Sequence, residues 1–517
     1  MEAHYTIAAF TLPILLLVLS FLLSQSPLKK RNNFPPSPPS IPILGHFHLM
    51  MKKNSSMLRN LTAISAAHGP VLLLRIGSRP ILLVSSYSAA INCFTTNDLV
   101  FATRPVLPSI RPISFNYSGI GAAPYGHHWR TFRRISIIEL FTSSRLRSFA
   151  EARRAELRSL LAKLFDDSKG GDWCMVELKT RVFGMTLNVI VRMLTGDKYY
   201  GEGELGMKKM VEFKEMEEEL MAKGGGLIFT DFFPFLKLIG LQWLQWRSMD
   251  KLLAKRNSIL QCLIDEQRVK KNSSSSKNNC LLNALLSMQE ESPESITNDT
   301  IKAVTQSLVL GGSVPITETL IWAMSLLLNN PTSMNKVKDE IDNCISSQRL
   351  VEEEDLPNLP YLQATIKETL RLYPAVPLLN LHEAREDCTV AGYDVRRGTM
   401  LLVNAWVIHR DPIDWAAPEE FRPERFVGSE SCGKGMTKMM IPFGMGRRGC
   451  PGEAMANIQI PLMLAAMLQC FEWKTVEDKQ VDMMDKGNIR SLPKAVPLKL
   501  LCRPRQEMMN LLPRLHG

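Results

Sequence analysis

The chain has 517 residues, 45% hydrophobic and 22% charged, with 62 lysines and arginines against 51 aspartates and glutamates, a formal net charge of +11. This length accommodates one large enzyme domain, and the basic excess is not gathered into a tail, which argues against a nucleic-acid partner and for acidic partners or an anionic membrane surface. The ten cysteines are scattered, with no C-x-x-C pair and no zinc-finger spacing, which excludes a disulfide-framed secreted domain and points to free thiols in a reducing compartment.

In chain order, Tyr5 to Leu23 comes first, uncharged and strongly apolar. At about 1.5 Å per residue it reaches roughly 28 Å, close to the hydrocarbon thickness of a bilayer. No basic residue precedes it and Lys29-Lys30-Arg31 follows, so it reads as an uncleaved signal anchor with everything after residue 31 in the cytosol. The expected organisation is a membrane anchor and basic stop at 1–31, a hinge at 32–45 stiffened by Pro35-Pro-Ser-Pro-Pro-Ser-Ile-Pro42, and a catalytic domain at 46–517.

Val71–Gly77 and Arg79–Ser85 read as a β-hairpin turning at Gly77-Ser78. Helical periodicity then runs to about residue 375, interrupted by a low-complexity polar surface loop at 270–279 that carries no assigned function. Within it, Trp129 and Arg133 fall one turn apart on one face, and Glu368 and Arg371 are neighbours at i, i+3. Strand signals return at Thr389–Val395 and Thr399–Asn404. The fold class is mainly α with small β-sheets.

The last motif is Phe443-Gly-Met-Gly-Arg-Arg-Gly-Cys-Pro-Gly452, which sets Cys450 on a glycine-framed loop just before a helix. The helix N-terminus and Arg447/Arg448 both favour the thiolate, and the glycines let backbone N–H groups approach the sulfur. A thiolate so placed is poised to ligate a metal.

The pattern Phe-x-x-Gly-x-Arg-x-Cys-x-Gly resembles the haem-binding loop of the cytochrome P-450 superfamily. Together with the proline hinge and Asn404-Ala-Trp-Val-Ile-His-Arg-Asp-Pro412, the whole chain is similar to the plant microsomal haem-thiolate monooxygenases, a group that includes isoflavonoid hydroxylases and methylenedioxy-bridge-forming enzymes. The resemblance implies the cytochrome P-450 fold behind an N-terminal transmembrane helix. It implies haem b with iron on Cys450, Phe443 in the haem loop, and Trp129, Arg133, His382 and Arg448 as propionate partners. It makes Glu368, Arg371 and the Arg425 of Phe421-Arg-Pro-Glu-Arg425 a buried structural network. It further implies a single-pass protein of the endoplasmic-reticulum membrane, with electrons from NADPH through an NADPH–haemoprotein reductase docked on the basic face near Cys450.

One stretch departs from that pattern. In the long helix Asn298–Asn329 the family's Ala/Gly-Gly-x-Asp/Glu-Thr-Thr/Ser box falls on Gly311-Gly312-Ser313-Val314-Pro315-Ile316. The glycines remain, but Val314 and Pro315 replace an acid and an alcohol, and neither side chain can pass a proton. Proline also deletes the helical bond to the Gly311 carbonyl, at about 3 kcal/mol in a regular helix. Ser313 and Thr317 should point away from the face of Pro315; Glu318 and Thr319 share it one turn on. The substrate pocket is expected to draw on 105–122, 213–240, 311–319, Val376–Leu379 and a tip at 489–492, where Arg490 and Ser491 stand and Arg490 offers a cation to a carboxylate or polar group.

The function implied is oxidation of a small lipophilic plant specialised metabolite with dioxygen and NADPH, the altered box favouring oxidative ring formation or coupling over plain hydroxylation. Two alternatives stay open on the sequence: a haem-thiolate isomerase or dehydratase that needs no reductase, and a non-catalytic haem-binding membrane protein.

Overall fold

The computed structural model describes residues 33–51, 55–168, 171–196, 204–224, 229–273, 280–428, 439–487 and 490–516. The anchor at 5–23, its basic stop and most of the polar loop at 270–279 lie outside the described residues.

The longer helices are α1 (Met57–His68), α2 (Tyr87–Phe94), α3 (His127–Ser136), α4 (Ala150–Asp167), α5 (Leu178–Thr195), α6 (Glu204–Gly224), α7 (Leu241–Asn272), α8 (Leu281–Glu291), α9 (Asn298–Asn329), α10 (Pro331–Cys344), α11 (Pro360–Leu372) and α12 (Glu453–Cys470). The polar groups at several of their starts explain why they begin there. Glu177 caps α5 by accepting from the Thr180 N–H at 3.0 Å, and the Thr297 hydroxyl caps α9 by accepting from the Thr300 N–H at 3.2 Å.

α9 is the axis of the molecule. It is apolar around most of its circumference and buried from Thr300 through Leu327 with few breaks, as a central core helix must be. It runs unbroken through Pro315. Its closest approach is to α5, where a Cβ on Gly312 would stand 2.3 Å from the Ile190 side chain. A side chain at 312 would therefore force Ile190 to another rotamer. At Gly311 a Cβ would meet nothing within 4 Å, so that position faces open space. The two halves of the glycine pair have different jobs.

Three small sheets flank the helices. β1 (Val71–Ile76) and β2 (Arg79–Val84) form the expected hairpin, with Leu74 opposite Ile81, and Gly77 takes the left-handed φ of +52° at its turn. β2 pairs in parallel with β7 (Met400–Val403), and β7 pairs antiparallel with β4 (His382–Glu383), putting His382 opposite Leu401. His382 is thus anchored in a sheet and buried. β5 (Cys388–Val390) and β6 (Tyr393–Val395) make a hairpin. β3 (Cys174–Glu177), β8 (Phe471–Thr475) and β9 (Lys499–Pro504) form the third sheet with β9 in the middle.

Candidate functional site

The cysteine loop closes on itself through the Cys450 N–H, which donates to the Phe443 carbonyl at 2.8 Å. Gly446 has φ +67°, and a Cβ there would lie 2.3 Å from Asp98 Oδ1 and 2.7 Å from the Phe94 carbonyl oxygen, so both conformation and space demand glycine. The Cys450 thiol is exposed, α12 begins three residues later, and Phe443 packs against the main core. Burial of its surroundings raises the thiol pKa; the backbone N–H groups of Gly452 and Glu453 and the Arg133 guanidinium lower it in opposition. The helix N-terminus acts as expected, but the cation does not come from the loop. Arg447 pairs with Asp98 at 3.0 Å and Arg448 reaches elsewhere, leaving Arg133 of α3 as the cation that acts on the sulfur.

Around this loop the nitrogen donors converge. Arg133 donates to the Gly449 carbonyl at 2.5 Å. Arg448 donates to Ala102 at 2.5 Å and Ala123 at 2.6 Å, and its guanidinium lies 4.2 Å from the Trp129 ring centroid. The Trp129 indole N–H donates to the Ile120 carbonyl at 3.2 Å, and His382 Nδ1 meets the Phe101 carbonyl at 2.6 Å. Arg104, whose place in the sequence gave no sign of this role, joins them. It is buried, donates through Nη1 to the carbonyls of Asn380 and Leu381, and has no partner for Nε.

Burial pushes the Arg104 pKa down to about 9, and Arg490 and Arg133 add repulsion; burial pushes Arg448 down to about 8, with Arg104 and Arg133 adding theirs. Burial, followed by Arg104, holds His382 well below its usual range and therefore neutral. No carboxylate figures among the groups acting on Arg104, Arg133 or Arg448. Arg104 is buried and Arg133 and Arg448 are half-buried, and mutually repelling cations withdrawn from water in this way are stabilised by an anion beside them. The two propionates of a haem fit that demand, and the thiol of Cys450 fits its iron.

Behind the loop lies the Glu368/Arg371/Arg425 network. Arg371 grips Glu368 bidentately at 2.7 and 2.8 Å, Arg425 Nε reaches the same carboxylate at 3.2 Å, and the Arg422 N–H adds a bond at 2.9 Å. Arg371 also donates to the carbonyls of His409, Pro418 and Glu420. Glu368 and Arg371 are wholly buried, which fits a structural role.

A cavity of ≈ 230 Å³ opens among Arg104, the segment 105–122, α9, Leu379–Leu381, Leu402 and Arg490. From α9 it takes Ala303, Gln306, Ser307 and Leu310, a stripe whose next turn is Val314. Gly311, Gly312, Val314, Pro315, Val376 and Ser491 are not among the lining residues, nor is any described residue of 213–240. Val314 and Pro315 are half-buried, and Val314 packs against the main core. The nearby hydroxyls are engaged elsewhere: Ser313 donates to Val309 at 2.6 Å, Thr317 to Ser313 at 2.8 Å with Thr186 of α5 at 3.2 Å, and Thr319 to the Pro315 carbonyl at 2.8 Å. Glu318 is turned into the α5 interface, paired with Lys179 at 2.9 Å, and burial raises its pKa.

A family model described as Cytochrome P-450 matches residues 35–502. The chain is 40% identical to cytochrome P-450 81Q32 of Catharanthus roseus over 98% of both chains. It is 40% identical to an isoflavone 2'-hydroxylase of Medicago truncatula over 94% of each, and 37% identical to a (+)-piperitol/(+)-sesamin synthase of Sesamum radiatum over 99% of each. Among solved structures, a zebra fish cytochrome P-450 determined with abiraterone matches in fold, with a TM-score of 0.71 at 24% identity over 86% of this chain and 98% of that one.

Proposed function

The chain belongs to the cytochrome P-450 family, and from that premise we propose that it oxidises a small lipophilic plant specialised metabolite by ring formation or coupling rather than by plain hydroxylation. Cys450 would hold the haem iron, and Arg104, Trp129, Arg133, His382 and Arg448 would hold the propionates. Haem bound there supplies activation of dioxygen beside a thiolate ligand, with electrons drawn from NADPH through a reductase.

The observation that carries the reading is the state of α9. Val314 and Pro315 offer no proton, Ser313, Thr317 and Thr319 donate to their own helix, and Glu318 is committed to Lys179. Protons for the oxygen chemistry therefore come from water or from the substrate itself. When a substrate gives up an O–H and a C–H hydrogen and a new bond joins that oxygen to that carbon, the product is a closed ring two hydrogens lighter, and dioxygen with two electrons from NADPH ends as two waters. The relatives include both hydroxylases and a synthase, so the family accommodates either product.

Arg490, a lining residue of the cavity, is the side chain that would meet a carboxylate or other polar group on the substrate. The exposed Arg130, Arg134 and Arg147 would give the cysteine-loop side a basic face for an acidic reductase. Residues 1–31 are read as the endoplasmic-reticulum anchor, 32–45 as its hinge and 46–517 as the catalytic domain. Large exposed apolar side chains at Phe235, Leu238, Ile239, Trp243 and Leu244 support a membrane-facing surface.

The test is the product formed when microsomes carrying the chain and a reductase are incubated with candidate metabolites. A product that has lost two hydrogens supports ring formation; one that has only gained an oxygen overturns it. Restoring Val314→Asp with Pro315→Thr should shift the product ratio towards hydroxylation.

A further inference from the structure

β3 and β9 bring two cysteines face to face, away from the cysteine loop. Cys174 and Cys502 are direct partners in the antiparallel ladder, and their sulfur atoms lie 3.4 Å apart across 328 residues of sequence. Directly opposed Cα atoms in such a ladder stand about 4.5 or 5.5 Å apart, and both spacings fall within the range a disulfide spans. The backbone is therefore already where a bond would need it. β3 is the edge strand of its sheet and Cys174 is only half-buried there, so a small reagent can reach its sulfur from this edge. Cys502, on the central strand, is buried.

We propose that Cys174 and Cys502 form a reversible modification site that takes up a low-molecular-weight disulfide of the glutathione class and is left as an intramolecular disulfide. The Cys174 thiolate attacks one sulfur of the reagent, a bond to that sulfur forms, the reagent's own bond breaks, and one glutathione thiolate leaves. The Cys502 sulfur, giving its proton to solvent, then attacks Cys174 Sγ and expels the second glutathione thiolate, which is protonated. Two protein thiols lose two electrons in all, and one glutathione disulfide becomes two glutathione thiols.

Access sets the order, since Cys174 is the sulfur at the edge. Burial raises the Cys502 thiol pKa first, the hydrogen bond and charge of Cys174 raise it further, Asp167 adds to this, and Arg181 opposes it. Capping Cys174 in the mixed disulfide removes both of its contributions, which frees the second thiol to react.

The bond would have a structural consequence. β3 runs directly into α5, which packs along α9, and β9 follows the segment that carries Arg490 to the cavity. A covalent tie between them staples the cavity's C-terminal wall to the helix behind α9.

The experiment equilibrates the haem-loaded full-length protein in graded mixtures of oxidised and reduced glutathione, quenches in acid, alkylates the remaining thiols and maps the peptides by mass spectrometry. Cys174 and Cys502 should lose alkylation together, and a peptide linking them should appear and vanish with dithiothreitol. Neither Cys174→Ser nor Cys502→Ser should yield that peptide, while Cys262→Ser, which removes an exposed cysteine, should leave it unchanged. A stable glutathione adduct on Cys174 with Cys502 still alkylated would overturn the proposal. So would two unreacted thiols at a ratio that already modifies Cys262. The mapping is made on the unsubstituted chain, so misfolding of a variant cannot imitate either result.

Discussion

At the scale of single residues, the motifs that could be seen in advance are those with a local spacing, and the resemblance then supplied the roles expected of them. Cys450 stands between glycines ahead of a helix, and Glu368 and Arg371 are one turn apart, so both motifs were visible in the sequence. Arg104 was not, because its importance comes from being buried against Asn380 and Leu381, more than 270 positions away. Long-range burial leaves no mark on the residues beside it. The Glu368 network gives a sharp expectation. Replacing Arg371 with alanine strips a wholly buried carboxylate of its bidentate partner and should cost about 3–5 kcal/mol, read as a lower denaturant midpoint. Arg371→Lys should recover only part, since one ammonium cannot replace a planar fork that donates to Glu368 and three carbonyls.

At the scale of elements, the resemblance placed α9 at its observed bounds, Asn298–Asn329, but the turns expected to face the pocket differ from those that line this cavity. The expected stretch was 311–319, and the lining turns are 303–310. The cause is a close crossing. A Cβ on Gly119 would lie 2.5 Å from the Ser307 hydroxyl oxygen and 3.0 Å from the Ala303 carbonyl, so the segment 105–122 seats on α9 at that level.

The same region holds a polar cluster between α6, α7 and α9. Arg256 of α7 donates to the Ile113 carbonyl at 2.6 Å and lies 4.0 Å from the Phe115 ring centroid, where the backbone runs through positive φ at Phe115, Asn116 and Tyr117. Nearby Glu217 of α6 is buried, and burial pushes its pKa up to about 7 against the charge of Arg256 and the weaker pull of the Gln306 amide. A carboxyl raised from 4.5 in this way costs nothing below pH 4.5 and progressively destabilises the fold as pH rises through about 7. The full effect is about 3 kcal/mol. Glu217→Gln should remove this slope, so that melting temperatures of the variant and the parent diverge between pH 5 and pH 8 with the variant higher at pH 8. Parallel curves would show that Glu217 is ionised throughout.

At the scale of the molecule, charge and apolar surface divide the labour of association. Phe47 meets Phe229 with ring centroids 4.7 Å apart, and a short way along the chain from Phe229 the side chains of Phe235, Leu238, Ile239, Trp243 and Leu244 are exposed. Composition pointed to acidic partners or an anionic membrane surface, but the apolar side chains at 235–244 were not singled out as a surface, because a helical stretch does not show in advance which of its residues stay exposed. Leu238→Glu combined with Trp243→Glu should reduce the vesicle binding of a chain begun at residue 33 by tenfold or more, with the haem spectrum unchanged; equal binding would mean that the patch does not face lipid.

The central claim is that Cys450, its ring of buried cations and α9 together make an oxygen-activating oxidase. Its most direct measurement is substrate turnover in reductase-containing microsomes, run in parallel with NADPH and dioxygen present, with NADPH omitted, and with dioxygen removed. The account predicts product in the complete mixture alone. Undiminished product without NADPH and dioxygen would contradict it.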